Sequence, residues 1–333
     1  MKSVFARHDI EGLLSIGTSF QAFRVLFETV RLGLFDALSE KPQSAKSLAG
    51  KLKLSADALG RLLRALHEMR LVEQQGNAYK NAALSQRYLC RQSENYIGDF
   101  FIHRETLQAP WAGLKFSLRH NKMVQPEGNR LADYPRQLNK FIRSMDALGR
   151  LKSERIREII NFNKFSSLLD LGGGIGTYAV SFARENRDLS ATIVDLKDVI
   201  RTAGAYIKKA ELTDRIHLLA GQCLADPLPK GPFDVVFISN LLHIYDSPGC
   251  KKIITKAVKV LSDKGKLVIH DYIFGSGDCV AVSLFDMTML VGTPQGRCYE
   301  QKEIKKWMKE AGIGNIKSAG VLAGTSIMWG EKA

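Results

Sequence analysis

The stretch SSLLDLGGGIGTYAV, residues 166–180, packs a buried strand, a glycine turn and the start of a helix into one short run. Leu168, Leu169 and Leu171 form an apolar segment of strand length, bounded by glycines. Those glycines let the backbone approach a ligand closely, and the helix that follows aims its free N–H groups at the same place. Consecutive glycines cost conformational entropy on folding, so a cofactor explains them better than an empty turn. Spacing separates the candidate ligands. A dinucleotide fingerprint counted from Gly172 and Gly174 puts its third position on Thr177, and the Gly-Lys-Ser/Thr of a nucleotide-triphosphate loop is missing. What stands instead is an acid, Asp170, followed by Gly172, Gly174 and Gly176 at every second position.

Downstream the texture repeats. SATIVD (190–195), RIHLLA (215–220), FDVVFIS (233–239) and KLVIHD (266–271) are β-branched or leucine-rich runs separated by helical stretches, the pattern of parallel strands covered on both faces. IKSAGVLAGTSIMWGEK (316–332) then predicts two closing strands joined by a tight turn. Upstream, Phe23, Leu26, Val30, Leu34 and Leu38 recur at steps of three and four and predict a helix over 20–38. Ser44 and Ser55 are N-cap candidates for two more helices, the second with Leu59, Leu62, Leu63, Leu66 and Met69 facing inward. LVEQQGNAYKNAAL (71–84) predicts two short strands about a Gly-Asn turn, completing a winged-helix pattern. Residues 95–160 read as helical, with a loop at QPEGN (125–129). The expected fold class is α/β: a Rossmann-like doubly wound sheet with a closing antiparallel strand, plus a mainly α winged-helix domain. The expected boundaries are 1–95 for the winged helix, 96–160 for a helical connector that lines an acceptor pocket, and 161–333 for the cofactor-binding domain.

Composition removes several classes. The chain has 333 residues with 45% hydrophobic content, enough for two ordinary cores. No stretch reaches the length of a membrane span, and the start MKSVFARHDIEGLLSIG lacks the apolar run of a secretory leader, so a cytoplasmic protein is expected. Cys90, Cys223, Cys250, Cys279 and Cys298 are scattered and odd in number, which argues for free thiols and against a disulfide framework or a zinc site. No metal is expected. The net charge of +14, of which +10 lies in residues 1–160, is spaced like solvated helix faces and names no partner.

The acid and alternating glycines resemble motif I of class I S-adenosylmethionine-dependent methyltransferases. The blocks GQCLADPLPKGPFDVVFISNLLHIYD, KGKLVIHDYIF and GTPQGRCYEQKEIKKWMKEAGI resemble the successive signatures of the plant caffeate-type and bacterial small-molecule O-methyltransferases. Residues 25–74 are similar to that family's winged-helix dimerisation domain, so the likeness covers nearly the whole chain. It implies S-adenosyl-L-methionine as cofactor, S-adenosyl-L-homocysteine as product, and a homodimer through the N-terminal domain with a small-molecule acceptor. It also implies cofactor-binding roles for Asp170, Gly172, Gly174, Gly176, Asp195, Leu196, Gln222, Cys223 and Ser239. Asp195, at the end of the second strand, would hold the ribose hydroxyls; its ordinary alternative is a helix-capping acid ahead of LKDVI. Gln222 stands where the family usually has an acid that accepts from the adenine amine, and a Gln carbonyl can accept the same bond without charge. Cys223 or Leu224 matches the adenine-packing residue.

The resemblance further implies His243 as the base that takes the acceptor's proton and Asp271 as the acid that orients it. An imidazole changes protonation near neutral pH, which suits the task. The family's second acid precedes an Arg-Thr pair, and the matching position here is Gly296. Phe101, His103, Trp111, Met145, Phe285, Met287 and Met289 are expected to line a large apolar acceptor pocket, although core packing explains methionine and phenylalanine stripes as well. His270 is expected as a core group and Asp246 as a helix cap. C-methylation of a pigment-like molecule is the alternative chemistry. The rival from another class is a DNA-binding regulator, with Arg61, Arg64, His67 and Arg70 on phosphates; its third helix opens on Ala-Asp-Ala, which is poor in groups that read base edges. Neither nucleic acid nor membrane is expected as a partner.

Overall fold

Every run read above as a parallel strand forms one in the computed structural model, which describes residues 9–124, 134–275 and 278–333. The QPEGN loop lies outside the described residues. The chain divides into two units, one from the described residues of Met1–Thr106 and Asp133–Leu148, the other from those of Leu107–Ala132 and Gly149–Ala333. The stretch expected as one connector, 96–160, is shared between them. Helix Gly98–Arg104 belongs to the first unit and helices Gln108–Ala112 and Leu114–His120 to the second, while helix Tyr134–Ile159 contributes to both.

In the first unit the helix expected over 20–38 begins ten residues earlier and ends sooner, running Ile10–Leu32 from an Asp9 cap. Gly33 stops it with φ +71°, and a short helix, Leu34–Ala37, follows. The inward stripe is Phe27, Val30, Leu34 and Leu38, whereas Phe23 and Leu26 are half-buried. Ser44 and Ser55 cap helices Ala45–Leu52 and Ala56–Glu68 through the N–H groups of Ser47 and Ala58. Leu59, Leu63 and Leu66 are buried with Leu48, Leu34 and Phe35 in one core, each full burial of such a side chain contributing about 1.5–3 kcal/mol. The wing is antiparallel, in the order β1 (Gln43–Ser44), β3 (Ala78–Asn81), β2 (Val72–Gln75).

The described residues of the second unit build a seven-stranded sheet. Its strands are β4 (Ser167–Leu171), β5 (Ser190–Asp195), β6 (Ile216–Ala220), β7 (Phe233–Ser239), β8 (Leu261–Asp271), β11 (Ile313–Gly320) and β12 (Ser326–Lys332), ordered β11-β12-β8-β7-β4-β5-β6. Only β12 runs against its neighbours, inserted between β8 and β11. Two short strands, β9 (Ile273–Phe274) and β10 (Tyr299–Glu300), pair with each other outside it. Alternate residues of one strand enter different cores: Leu169 and Leu171 share one with side chains of helices Ser247–Lys259 and Gln301–Glu310, and Leu168 shares the other with side chains of helices Thr177–Glu185 and Lys197–Lys209. That is why the strands read as continuous apolar runs. Strand order reverses at β4, whose neighbours β5 and β7 lead away in opposite directions, the place where open α/β sheets bind ligands beyond the carboxyl ends of their strands.

Candidate active site

The chain leaves β4 through Gly172–Gly176 and enters helix Thr177–Glu185 at once. Gly176 adopts φ +91°, and a Cβ there would lie 2.6 Å from the Ile193 side chain, so the turn hugs the sheet only without one. Gly174, at φ +60°, is the opposite case: a Cβ would meet nothing within 4 Å, which leaves the crest of the turn open to a ligand. The Gly174 N–H donates to Asp195 Oδ2 at 2.8 Å and the Leu196 N–H to Oδ1 at 2.7 Å. Burial raises the Asp195 carboxyl above its ordinary value, opposed by these two bonds. A carboxylate offers about four acceptor positions, so Asp195 keeps lone pairs for a ligand. Leu196 beside it is 48% exposed, an apolar surface at the rim.

Asp170 lies beneath this turn with no exposure, and neither carboxylate oxygen has a hydrogen-bond partner. Burial, and then the charge of Asp195, push its pKa up to about 8. A buried acid with two unfilled acceptors is costly unless a cation or an N–H group reaches it. Next to β5 the chain leaves β6 with the Gly221 N–H on the Asp195 carbonyl at 2.9 Å. Gln222 is exposed. Cys223 differs from its expected place: its side chain is 5% exposed and turned into the sheet core, where burial raises the thiol to about 11. Half-buried Leu224 is left as the apolar side chain of that turn.

At the end of β7 the chain makes a tight turn, Leu242–Ile244, that presents His243. Asp271, the last residue of β8, binds this turn on two sides. Its Oδ1 accepts from His243 Nδ1 at 2.6 Å and from the Tyr272 N–H at 2.8 Å, and its Oδ2 accepts from the Leu242 N–H at 3.1 Å. Burial acts to raise this carboxyl, but the charge and hydrogen bond of His243, with the Tyr272 N–H, outweigh it and leave it below the ordinary value. With Nδ1–H given to an ionised carboxylate, the lone pair of a neutral ring sits on Nε2. The ring of Phe285 meets His243 edge-on at 4.9 Å between centroids and stacks on Tyr272 at 3.7 Å. Tyr272 escapes a motif search, its only signal being its position after Asp271.

Gly296, at the family's second-acid position, has no room for a side chain. A Cβ there would lie 2.5 Å from the His243 carbonyl oxygen, which accepts from the Arg297 N–H at 2.9 Å. Backbone stands behind His243 where the resembling family has a carboxylate. Ser239 is buried, its Oγ 2.8 Å from His270 Nδ1 and accepting from Asn240 at 3.1 Å, so its hydroxyl faces the core. His270 is fully buried, and burial, then Lys152, pull it down to about 3. It stays neutral. Asp246 caps helix Ser247–Lys259 through the Gly249 N–H.

Of the expected acceptor-pocket residues, four lie in this unit. Phe285 touches the His243 ring, Met287 beside it is half-buried, Met289 is 9% exposed and belongs to the packing, and Trp111 sits on a helix that contacts helix Cys279–Gly292. Phe101, His103 and Met145 lie in the first unit. Phe101 packs against that unit's core, His103 meets Phe141 edge-on at 5.4 Å, and Met145 is 36% exposed. Among the described residues no cluster of His, Cys, Asp or Glu can hold a metal ion, and no helix is long and apolar enough to cross a membrane.

A family model described as the O-methyltransferase domain matches residues 129–314, and one described as the O-methyltransferase dimerisation domain matches residues 14–91. The chain belongs to the O-methyltransferase family. This methyltransferase is similar to the tetracenomycin polyketide synthesis 8-O-methyl transferase of Streptomyces glaucescens, 27% identical over 96% of each chain. It is also similar to the 3-hydroxy-5-methyl-1-naphthoate 3-O-methyltransferase of Streptomyces sahachiroi, 28% identical over 92% of this chain and 90% of the other. Human N-acetylserotonin methyltransferase, solved in complex with S-adenosylmethionine, shares the fold with a TM-score of 0.84 at 21% identity, over 96% of each chain. The enzyme is S-adenosylmethionine-dependent, and its residues fit that cofactor: the crest of the turn at Gly174 is open, the buried oxygens of Asp170 beneath it lack a partner, and Asp195 keeps acceptor positions beyond its two backbone bonds.

The state of Asp170 has a measurable consequence. Its pKa is raised on folding, so between about pH 4 and pH 8 the native protein holds a proton that the unfolded chain has lost, and stability falls as pH rises through that window. Asp170→Asn removes this dependence. Urea unfolding without cofactor at pH 4.5 and pH 8 should show the variant gaining on the natural protein by at least about 1 kcal/mol across the interval; a constant difference would show that Asp170 is ionised when folded.

Proposed function

We propose that this enzyme transfers a methyl group from S-adenosylmethionine to a hydroxyl of an aromatic or polycyclic small molecule, with His243 as general base. The observation that carries the reading is the 2.6 Å bond from His243 Nδ1 to Asp271, which leaves Nε2 as the free acceptor of a ring packed against Phe285. When bound, the cofactor supplies an electrophilic methyl on a positively charged sulfur. Asp195 takes the ribose hydroxyls, Leu196 and the exposed Gln222 face the adenine, and Asp170 with the turn Gly172–Gly176 receives the amino-acid end. His243 Nε2 accepts the hydroxyl proton, and Asp271 stays ionised and stabilises the imidazolium. Phe285, Met287 and Trp111 offer the flat apolar surface on which an aromatic ring lies. The two Streptomyces relatives are named for polyketide and naphthoate acceptors, which supports this class.

Alignment of the reactants contributes more to the rate than proton removal does. Holding two reactants in attack geometry contributes roughly 7–11 kcal/mol, whereas a positioned base gives about 10²–10⁴-fold. His243→Ala should therefore leave cofactor affinity within about twofold and lower turnover of a phenolic acceptor at least about a hundredfold, read by transfer of labelled methyl. An undiminished rate would remove His243 from the proton transfer.

We also propose that the protein works as a homodimer through its first unit. Ile10, Leu13, Leu14, Ile16 and Phe20 are exposed along helix Ile10–Leu32, an apolar surface that a free monomer would leave in water. Light scattering at micromolar concentration should give twice the chain mass of 37.1 kDa; the chain mass itself would refute the dimer.

A further inference from the structure

The turn after β6 carries the exposed Gln222 and half-buried Leu224, and it is held from behind by one side chain. Lys256, on helix Ser247–Lys259, donates to the carbonyl oxygen of Cys223 at 2.7 Å and to that of Leu224 at 3.3 Å, and also to that of Asp226. An ammonium has three donors and no acceptor, and here three carbonyls converge on it. The same turn is closed on itself: the Asp226 N–H donates to the Gln222 carbonyl at 2.9 Å, and the Gln222 N–H donates to Asp226 Oδ2 at 2.8 Å. Its first residue is tied to the ribose side, since the Gly221 N–H donates to the Asp195 carbonyl.

We propose that Lys256 is a positioning residue for cofactor binding, fixing the turn Gly221–Asp226 in the shape that presents Gln222 and Leu224 to the adenine. The proposal rests on the cofactor placement given above. Three carbonyl dipoles aimed at one point repel each other once the ammonium is gone, and the turn must open or admit water to satisfy them. Binding then has to reorder it, so the loss appears in affinity. Turnover at saturating cofactor is spared, because His243 and Asp271 share no bond with Lys256.

The test is calorimetric titration of S-adenosylhomocysteine into the full-length protein and two variants, alongside turnover at saturating S-adenosylmethionine. Lys256→Met should weaken binding by about tenfold and hold kcat within about twofold, matching the loss of a charge-assisted hydrogen-bonded contact. Lys256→Arg keeps the charge but spreads its donors over a planar fork that cannot meet three converging carbonyls, and should lose about threefold. Equal affinity in Lys256→Met, or a parallel fall in affinity and kcat, would overturn the proposal. If the methionine variant does not fold, the arginine variant decides alone, by reduced or undiminished affinity. No binding by the natural protein would instead refute the cofactor placement itself.

Discussion

A parallel strand covered on both faces must hand the chain to a helix at its carboxyl end, and at β4 it does so where the sheet reverses direction. The rest of the site follows from that constraint. The turn is pressed against Ile193 on one side and is open at Gly174 on the other, so only a residue without a side chain serves at Gly176. Because β5 and β7 leave β4 in opposite directions, their ends bring Asp195 and His243 to the same edge of the sheet from different sides.

Two buried carboxylates on neighbouring parts of this edge are driven in opposite directions. Asp170 has no donor and faces the charge of Asp195, so burial wins and its proton is held. Asp271 is as deeply buried, yet an imidazole N–H and backbone N–H groups surround it, and it stays ionised. The difference is one of partners, not of depth. It leaves one acid protonated and without a donor, and the other a fixed charge bonded to the His243 imidazole. On the far side of His243, close backbone packing at Gly296 and Arg297 leaves Asp271 as the acid bonded to the ring.

Much of this was legible in the chain because the signals were local. Strands buried on both faces read as apolar runs, and Ser44, Ser55 and Asp246 cap the helices they were expected to cap or precede. His243 and Asp271 carried a family signature, and the structure brings them into contact. The misreadings have tertiary causes. The first helix begins at Ile10 although Leu13, Leu14 and Phe20 face outward, so its early half shows no inward stripe to count. Cys223 turns inward in a turn whose carbonyls, its own with those of Leu224 and Asp226, converge on Lys256, a contact across 33 residues that no spacing rule encodes. The helical stretch 96–160 has one texture but divides its contacts between two units.

The most direct test is a crystal structure with S-adenosylhomocysteine bound. The amino-acid end should lie over the turn Gly172–Gly176, with both ribose hydroxyls on Asp195 and the sulfur turned toward His243. A nucleoside seated elsewhere, or an Asp195 that makes no contact with the ribose, would contradict this placement.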